Sequence, residues 1–467
     1  MTNLTRRDIV AAAFTTAGLS MLGAYSAPVR VNSDAVSVLD FRLPRDADDT
    51  AALQRAIATR RPVYVPASAG LGPGGVYLVN DVTLIAGADL FGDGIGRTIL
   101  RPGGNQAVFH CDSGSVAARI VGICISNLTL EGWVVKRGFA EHRHLLHLNG
   151  VQDVLVENIE FKGFQGDGFC LGSSRQAGTT RHNRGITIRK CVFDGVNNNN
   201  RNGISVIDGE QILIEDCIFK NCTRANMPGA IDFEPDATAA AIIRDIIIRR
   251  CQFINTGGNV AVIAFHIPPQ VIALPRQISI TDNLFENYRG TGGEIYFNMN
   301  RTLWDESPSM SIVVNGNRGF GGQWVYTFYA VKGIFAGGNK WENYKQGAMI
   351  GYIAPNQKAR AVKLSDQFVE CGKVSGVGIY IFNVSRLALQ GCRLIDCGNG
   401  SNTSYGICFS RGKSEYVTLT GVQVRAPSGK TYVAVIRDQL HELSPSTNVQ
   451  HSNDLGGLPG IDISKPV

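Results

Sequence analysis

Two acidic residues, two positions apart, are the strongest candidates for chemistry in this chain of 467 residues. Asp232 and Glu234 lie in the segment Gly-Ala-Ile-Asp-Phe-Glu-Pro, where Ile231 and Phe233 alternate with them. If the apolar residues of this strand point inward, both acids point outward, with Cα atoms roughly 6.6 Å apart. Neighbouring carboxyls repel each other, so one stays protonated while the other ionises. Cleavage of a glycosidic bond uses such a pair, and we expect both acids to face an open groove. The alternative is a polar sheet face on which both acids form salt bridges.

Further candidates lie at corresponding places in neighbouring segments. We expect Asp167 and Asp208 to assist the pair, although aspartates at these positions can also cap turns. Arg201 and Arg224 lie in adjacent loops and could bind sugar carboxylates. The other predicted substrate-binding residues are His266, Glu294, Tyr296 and Trp304.

The longer predicted loops cluster around the same central segments, and binding residues on repeat proteins usually lie on such loops. The loops cover residues 133–147, 172–184, 220–228, 266–276 and 298–309, and they carry Trp133, Trp304, His142, His144 and His147. His142 and His144 could form a metal pair, but no third ligand can be named. We therefore predict no metal site and no cofactor, unless the chemistry is that of a lyase, which could require Ca²⁺.

The elements that position these residues follow from a repeated phrase between residue 120 and the end of the chain. An apolar strand is followed by a polar turn and a second strand with a short signature, at intervals of about 20 to 35 residues. The signatures include Lys190–Phe193, Asp216–Phe219, Arg250–Phe253, Asp282–Phe285 and Gly391–Leu394. Stacked coils at a spacing of roughly 4.8 Å would place equivalent apolar residues in ladders and bury them.

The sequence therefore predicts an all-β protein, a right-handed parallel β-helix of about ten coils with a short N-terminal capping helix. Acidic residues 46–49 before Thr50–Ile57 indicate the start of that helix. We expect the cap and first coils in residues 27–110, the main β-helix with the central site in 111–440, and a C-terminal tail in 441–467. The glycines of 91–100 are predicted to form a turn between coils, because a strand and not a helix follows them.

The eleven cysteines are predicted to be structural. Cys217 and Cys222 repeat the spacing of Cys392 and Cys397, but five extended residues span roughly 16 Å, beyond the ~7 Å that a disulfide allows between Cα atoms. We expect Cys191, Cys217 and Cys251 to stack inside successive coils as small apolar groups.

Residues 1–26 have the pattern of an export signal. Arg6 and Arg7 form a twin-arginine motif, which an apolar stretch and small residues at 24–26 follow. We expect a periplasmic or secreted protein with no membrane span in the mature chain. The formal charge of +6 comes without a block of basic residues, which disfavours nucleic-acid binding.

The N-terminal segments resemble the pectate-lyase-like superfamily, in the branch related to family 28 glycoside hydrolases. The resemblance rests on Asp48–Gln54, Val63–Pro66 and the turn from Gly92 to Leu100. It implies a right-handed β-helix that acts on polysaccharides as a hydrolase, lyase or epimerase, or that serves as a phage tailspike. The chain departs from the polygalacturonase pattern, because it has no Gly-His-Gly and no Arg-Ile-Lys motif.

Three functions follow for these residues. The first is a glycoside hydrolase that uses Asp232 and Glu234 to cleave an extracellular polysaccharide, a class that includes anionic polymers. The second is a lyase or epimerase on a uronic-acid polymer, in which a basic residue removes a proton next to a neutralised carboxyl. The third is a non-catalytic carbohydrate-binding solenoid.

Overall fold

The computed structural model describes most of the chain from residue 34 to residue 438. The described ranges are 34–104, 107–115, 119–176, 179–286, 290–299, 308–351, 359–371, 377–397, 406–410, 414–425, 436–438, 448–449 and 461–462. The predicted export signal and Trp304 lie outside the described residues. Within the described ranges, no helix is long and apolar enough to cross a membrane.

The all-β prediction is confirmed: the chain from Ala35 onward is a parallel β-solenoid of about 11 turns. Each turn contributes strands to three faces. The first face contains β1 Val36–Ser37, β2 Val63–Val65, β5 Asp89–Gly92, β8 Ile120–Val121, β15 Arg184–Arg189, β18 Gly209–Glu215, β21 Ile243–Arg249, β24 Arg276–Thr281, β27 Ile312–Asn315, β30 Lys332–Gly337, β33 Ala359–Ser365, β36 Val384–Gln390, β39 Glu415–Thr420 and β42 Asn448–Val449.

The second face contains β3 Tyr77–Val79, β6 Ile99–Pro102, β16 Val192–Asp194, β19 Ile218–Lys220, β22 Gln252–Ile254, β25 Leu284–Glu286, β28 Arg318–Phe320, β31 Lys340–Tyr344, β34 Phe368–Cys371, β37 Arg393–Ile395 and β40 Gln423–Arg425. Two long strands, β9 Cys124–Glu131 and β11 Val151–Lys162, run through both faces.

The third face is a parallel sheet of 14 strands and carries the candidate site. Its strands are β4 Val82–Thr83, β7 Phe109–Asp112, β10 Leu146–Asn149, β12 Phe169–Gly172, β17 Ile204–Val206, β20 Ile231–Phe233, β23 Ala261–His266, β26 Gly293–Asn298, β29 Trp324–Tyr329, β32 Gln346–Ile350, β35 Ile379–Ile381, β38 Ile407–Phe409, β41 Ile436–Asp438 and β43 Ile461–Asp462. A small antiparallel hairpin, β13 Ser174–Gln176 with β14 Thr179–Arg181, extends from the turn after β12.

Aromatic and aliphatic ladders fill the interior, as the repeated signatures predict. Phe193 and Phe219 stack with ring centroids 4.7 Å apart, and Phe233 and Phe265 stack at 4.2 Å. Each of these rings is completely buried. Burying a phenylalanine side chain is worth about 1.5–3 kcal/mol, so each turn gains stability only by stacking on the next.

The predicted helix is α1, Thr50–Ala58, whose buried residues cover the N-terminal end of the solenoid. Asp49 lies at its N-cap position, but its side chain makes no capping hydrogen bond there. Instead, its carboxylate binds Arg42 and accepts the backbone N–H groups of Leu71 and Leu78. Asp49 thus ties the cap to the first coils. A second short helix, α2 Val134–Arg137, lies in the loop that precedes β10.

The predicted cysteine stack is confirmed. Cys191, Cys217 and Cys251 are buried at the same turn of successive coils, where each precedes a paired strand of the second face. In the following coils Asn283 and Asn317 take the same position, and the side-chain amide of Asn283 donates to the side-chain oxygen of Asn317. This position is therefore occupied by side chains small enough to stack at the turn. They are either apolar, like cysteine, or able to hydrogen-bond to a copy of themselves in the next coil, like asparagine.

Candidate active site

The site lies where neighbouring strands of the third face place polar side chains on their outer surface. Strand register aligns Cys170, Ser205, Asp232 and Ala264 across β12, β17, β20 and β23. On either side of Asp232, Ile231 and Phe233 point into the core and are completely buried. The alternation that the sequence predicts is therefore correct, and Asp232 projects from the outer face.

A cleft with a volume of about 630 Å³ opens beside this row. One wall comes from the loop after α2, a second from the turn that starts the β13–β14 hairpin, and a third from the residues after β20. The lining residues are Glu141, His142, His144, His147, Asn149, Asp167, Cys170, Gly172, Ser173, Arg201, Ile207, Glu234, Pro235, Asp236, Ala237, His266 and Pro268.

The two acids of the predicted pair have different environments. Glu234 is exposed and lines the cleft. Asp232 is only 2% exposed and does not line it, so the expectation that both acids face an open groove is wrong for Asp232. Its Oδ2 accepts a hydrogen bond from the side-chain amide of Asn202 at 3.3 Å, while its buried Oδ1 has no hydrogen-bond partner. Burial, and then the negative charge of Glu234, raise the pKa of Asp232 well above its usual range.

Asp167 lies in the cleft as predicted, but a buried ion pair occupies it. The Nη1 atom of Arg201 lies 2.7 and 2.8 Å from its two carboxylate oxygens, and the Nδ1 atom of His144 lies 3.1 Å from Oδ2. Burial alone would raise the pKa of Asp167, but His144 and Arg201 outweigh it and lower the pKa. Asp167 is therefore an ionised anchor for Arg201 and not a proton donor.

The network beneath the cleft continues from Arg201 to the Asp232 strand. Arg201 Nη1 lies 3.1 Å from Ser205 Oγ, and the side-chain amide of Asn202 donates to the same oxygen at 2.9 Å. Because Asn202 also donates to Asp232, Ser205 and Asn202 connect the ion pair to the buried acid. Arg201 is therefore committed to protein groups and has little charge left for a ligand.

Histidines form much of the remaining lining. Burial, and then the neighbouring His144, lower the pKa of His147 to about 4, so its half-buried imidazole is neutral near pH 7. The rings of His144 and His147 lie 5.1 Å apart. His266 lines the cleft as predicted and is half-buried.

Two predicted residues lie away from the cleft lining. Asp208 is completely buried in the turn after β17, where it accepts the N–H of Ile242 at 2.8 Å and contacts His182 Nδ1 at 2.8 Å. Its carboxylate connects neighbouring coils, because His182 and Ile242, which contact its oxygens, belong to the coils before and after it. The guanidinium of Arg224 stacks over the ring of Phe139, with Cζ 3.4 Å from the centroid, and it does not line the cleft.

Two further predicted residues lie on β26, also outside the cleft lining. Glu294 is 1% exposed and accepts a hydrogen bond from the hydroxyl of Tyr344 at 2.8 Å. Burial raises its pKa to about 8, so it is a neutral group of the interior and not a surface ligand. Tyr296 is half-buried on the outer row and packs edge-on against Tyr329, with centroids 5.9 Å apart.

The cleft is acidic, contrary to what the overall positive charge suggests. Four carboxyls line it, those of Glu141, Asp167, Glu234 and Asp236, against a single guanidinium, that of Arg201. Arg201 pairs with Asp167 at 2.7 Å and also lies 3.6 Å from the carboxylate of Glu141, so one guanidinium faces four carboxyls of the described lining. This arrangement does not favour the predicted binding of sugar carboxylates by arginine.

One trio of potential metal ligands lies at the cleft. The ligand atoms of His144, Asp167 and Cys170 lie within 4.8 Å of one another. The trio fits a divalent ion poorly, because the guanidinium of Arg201 already holds both oxygens of Asp167. Burial also raises the pKa of the Cys170 thiol well above its usual value, which opposes the thiolate form that metals bind.

Reasoning from sequence did not identify two carboxyls of the cleft, Glu141 and Asp236. Asp236 continues the two-residue spacing of Asp232 and Glu234, and this signal could have identified it. Its carboxylate accepts a hydrogen bond from Ser173 Oγ at 3.3 Å, which links the turn after β12 to the residues after β20. Glu141 has no comparable signal, because the loop that carries it has no regular periodicity.

The family comparison agrees with this architecture. Residues 35–252 match the family model described as "Rhamnogalacturonase A/epimerase, pectate lyase-like". The predicted pectate-lyase-like resemblance is confirmed. The pectate-lyase-like match covers the cap and the coils up to β21, and it includes Asp167, Arg201, Asp232 and Glu234. None of the curated protein sequences matches the chain.

Solved structures share the β-helix at low sequence identity. The N-terminal fragment of bacteriophage phi29 gene product 12 is 14% identical, with a TM-score of 0.54 over 92% of this chain and 84% of that one. The chain spans 57% of the longer pre-mature gene product 12, with 16% identity and a TM-score of 0.48 over 84% of this chain. The A-module of the Azotobacter vinelandii mannuronan C-5 epimerase AlgE4 is 14% identical, with a TM-score of 0.44 over 93% of this chain and 98% of that one. The likeness to the N-terminal fragment of gene product 12 concerns the fold alone.

Proposed function

We propose that this protein is a glycoside hydrolase that cleaves a polysaccharide in the acidic cleft. One observation carries the proposal: Glu234 is exposed in the cleft, two residues from Asp232, a carboxyl whose pKa burial and Glu234 raise. Hydrolysis of a glycosidic bond needs one carboxyl with a proton to give and one that is ionised. In this proposal, Asp232 in β20 is the carboxyl that holds the proton, and Glu234, directly after β20, is the ionised one.

In this proposal Glu234 is the ionised group, which acts on water or on the anomeric carbon. Asp232 is the acid, and its unpartnered Oδ1 is the atom available to give a proton to the leaving oxygen. Because Asp232 is buried, we infer that its carboxyl reaches the cleft when a glycan is bound. Asn202 and Ser205, which Arg201 and Asp167 hold in place, position the acid.

The charge of the cleft indicates the kind of glycan. Four lining carboxyls against one guanidinium give the cleft an excess of acidic groups, which disfavours a polymer of uronic acids, most strongly where water is excluded. We therefore propose that the cleft binds an uncharged part of a glycan. An anionic polymer would instead suit a cleft whose arginine side chains are available to bind carboxylates. The family match supports action on a polysaccharide, since its description names a rhamnogalacturonase, whereas the preference for an uncharged substrate rests on the cleft alone.

A lyase or epimerase is the second candidate, and one observation favours it. The neutral imidazole of His147 in the cleft could accept a proton, and the family description also names an epimerase. Such chemistry needs a cation that neutralises the uronate carboxyl. The only arginine of the described lining is already paired with Asp167, and this pairing weighs against the second candidate.

A screen across uncharged and uronic-acid polysaccharides tests the proposal. New reducing ends without ultraviolet absorbance are the result expected for a hydrolase, and they should disappear in the Glu234→Gln variant. An unsaturated, ultraviolet-absorbing product from a uronate polymer would instead establish a lyase. Binding without turnover on every glycan would show a carbohydrate-binding solenoid. We also propose that residues 1–26 direct export, which cleavage of the signal in a periplasmic fraction would test.

A further inference from the structure

Two cysteines far from the cleft lie against each other across successive coils. Cys371 ends β34, and Cys397 follows β37, which pairs with β34 in parallel so that Glu370 lies opposite Ile395. Their Sγ atoms are 2.8 Å apart. Non-bonded carbon atoms pack at about 3.5–4.0 Å, and sulfur is the larger atom. The two thiols are therefore closer than ordinary packing brings them.

The stacked cysteines of the other coils and Cys397 share one contact, between the thiol and the carbonyl oxygen two residues earlier in the chain. The thiol of Cys191 points at the carbonyl oxygen of Arg189 at 3.3 Å, and that of Cys217 points at the carbonyl oxygen of Glu215 at 3.2 Å. Cys397 makes the same contact, with the carbonyl oxygen of Ile395 at 3.5 Å. In addition, the sulfur of Cys397 approaches that of Cys371 to 2.8 Å, and the carbonyl contact does not explain this approach.

We propose that Cys371 and Cys397 form a disulfide that links two successive coils in an oxidising environment. The two thiols lose two protons and two electrons, and a disulfide oxidant such as glutathione disulfide accepts both and becomes two thiols. One sulfur–sulfur bond forms in the protein, and one breaks in the oxidant. The bridge would close a segment of 26 residues, the length of a single coil.

Burial determines when the bridge can form. Cys371 is 1% exposed and Cys397 is completely buried, so an oxidant cannot reach either sulfur in the finished coil. Burial, and then Cys371, also raise the pKa of Cys397 well above its usual value, and the reactive thiolate is scarce. The bridge can therefore form only while this coil is open to the oxidant, and once the coil is closed the bridge resists reduction.

The test uses the full chain, refolded once with glutathione disulfide and once with a reductant. Alkylation in denaturant without further reduction should then modify nine of the eleven cysteines in the oxidised sample and all eleven in the reduced one. Peptide mapping should find Cys371 joined to Cys397. Alkylation of both residues in the oxidised sample, or a bridge between other cysteines, would overturn the proposal.

Two serine variants extend the test to stability. Cys397→Ser removes one partner, while Cys222→Ser is the matched control, because it also follows a signature cysteine by five residues and is completely buried. The Tm of wild type and of Cys222→Ser should be higher in the oxidised than in the reduced form, and this difference should vanish in Cys397→Ser. An equal difference in both variants would contradict the assignment. The peptide map of the wild type decides the question even if a variant does not fold.

Discussion

Arg201 and Asp167 form a buried ion pair beneath the cleft, in which one guanidinium nitrogen lies 2.7 and 2.8 Å from the two carboxylate oxygens. Asp167 is completely buried, and the side chain of Arg201 is 16% exposed. The pair explains two features of the site together. It removes the one arginine of the described lining from ligand binding, and it provides the fixed point from which Ser205, Asn202 and Asp232 are oriented.

We expect the loss of one partner of the ion pair to destabilise the fold by more than the net stabilisation that the intact pair provides. Removing one member of a buried pair leaves an uncompensated charge and costs about 3–5 kcal/mol. Arg201→Met should therefore lower the free energy of unfolding by this amount, and Arg201→Met with Asp167→Asn should recover most of it. Denaturant titration of the single and double variants checks this. A double variant no more stable than Arg201→Met would argue against the pairing.

Turnover should depend on Asp232 and Glu234 to a similar degree. General acid–base groups contribute about 10²–10⁴-fold to rate, so Asp232→Asn and Glu234→Gln should each lower kcat at least about 100-fold. Asp236→Asn is the matched control, because it removes an exposed carboxyl of the same cleft, and it should stay within about tenfold of wild type. Steady-state kinetics on the glycan found in the screen measures this. Full activity in Asp232→Asn would remove Asp232 from the chemistry.

The pH dependence of turnover should reveal the raised pKa of Asp232. The acid must be protonated to give its proton, so kcat should fall as pH rises through its folded-state pKa, which burial and Glu234 place well above the usual value. The Glu234→Ala variant lacks the neighbouring negative charge, and the alkaline limb of its residual activity should shift to lower pH. An unshifted limb would show that another group controls it.

Glu294 should make stability depend on pH far from the site. Its folded pKa of about 8 lies above its ordinary value of 4.5, so the folded state holds the proton more tightly than the unfolded state does. The contribution of this carboxyl to the free energy of unfolding is fully present below pH 4.5 and is lost as the pH rises towards 8. One pKa unit is worth about 1.4 kcal/mol, which makes the loss a few kcal/mol.

The neutral isostere Glu294→Gln should abolish this dependence, because it cannot ionise. Unfolding experiments at several pH values between 5 and 8, read as the difference between the variant and wild type, isolate the effect of this one group. A constant difference across that range would mean that Glu294 is not protonated in the folded protein.

Removal of metal should leave turnover unchanged. The candidate trio of His144, Asp167 and Cys170 is opposed by the charge of Arg201, and a hydrolase with two carboxyls needs no metal. Treatment with a chelator, followed by assay with and without added Ca²⁺ or Zn²⁺, checks this. Loss of activity that Ca²⁺ restores would favour the lyase instead.

Part of the site could be predicted from the sequence because period-two alternation assigns faces. Ile231 and Phe233 are inward in the structure, so the outward direction of Asp232 was correct. The alternation contains no information about what covers an outward residue, and Asp232 is buried among Arg201, Asn202 and Ser205. Asp208 and Glu294 were misassigned for different reasons: Asp208 lies in the turn after β17, where the alternation ends, whereas Glu294 lies within β26 and is buried against Tyr344.

The amino-acid sequence by itself determined the repeat, the ladders, the capping helix and the stacked cysteines. These depend on short-range alternation and on a spacing that recurs from coil to coil, so local patterns specify them. The tertiary structure alone decided which carboxyls share the cleft, which of them keeps its proton, and that Arg201 is bound to Asp167. Those outcomes depend on loops of unequal length that meet across neighbouring coils, and on burial, which the linear order of residues does not specify.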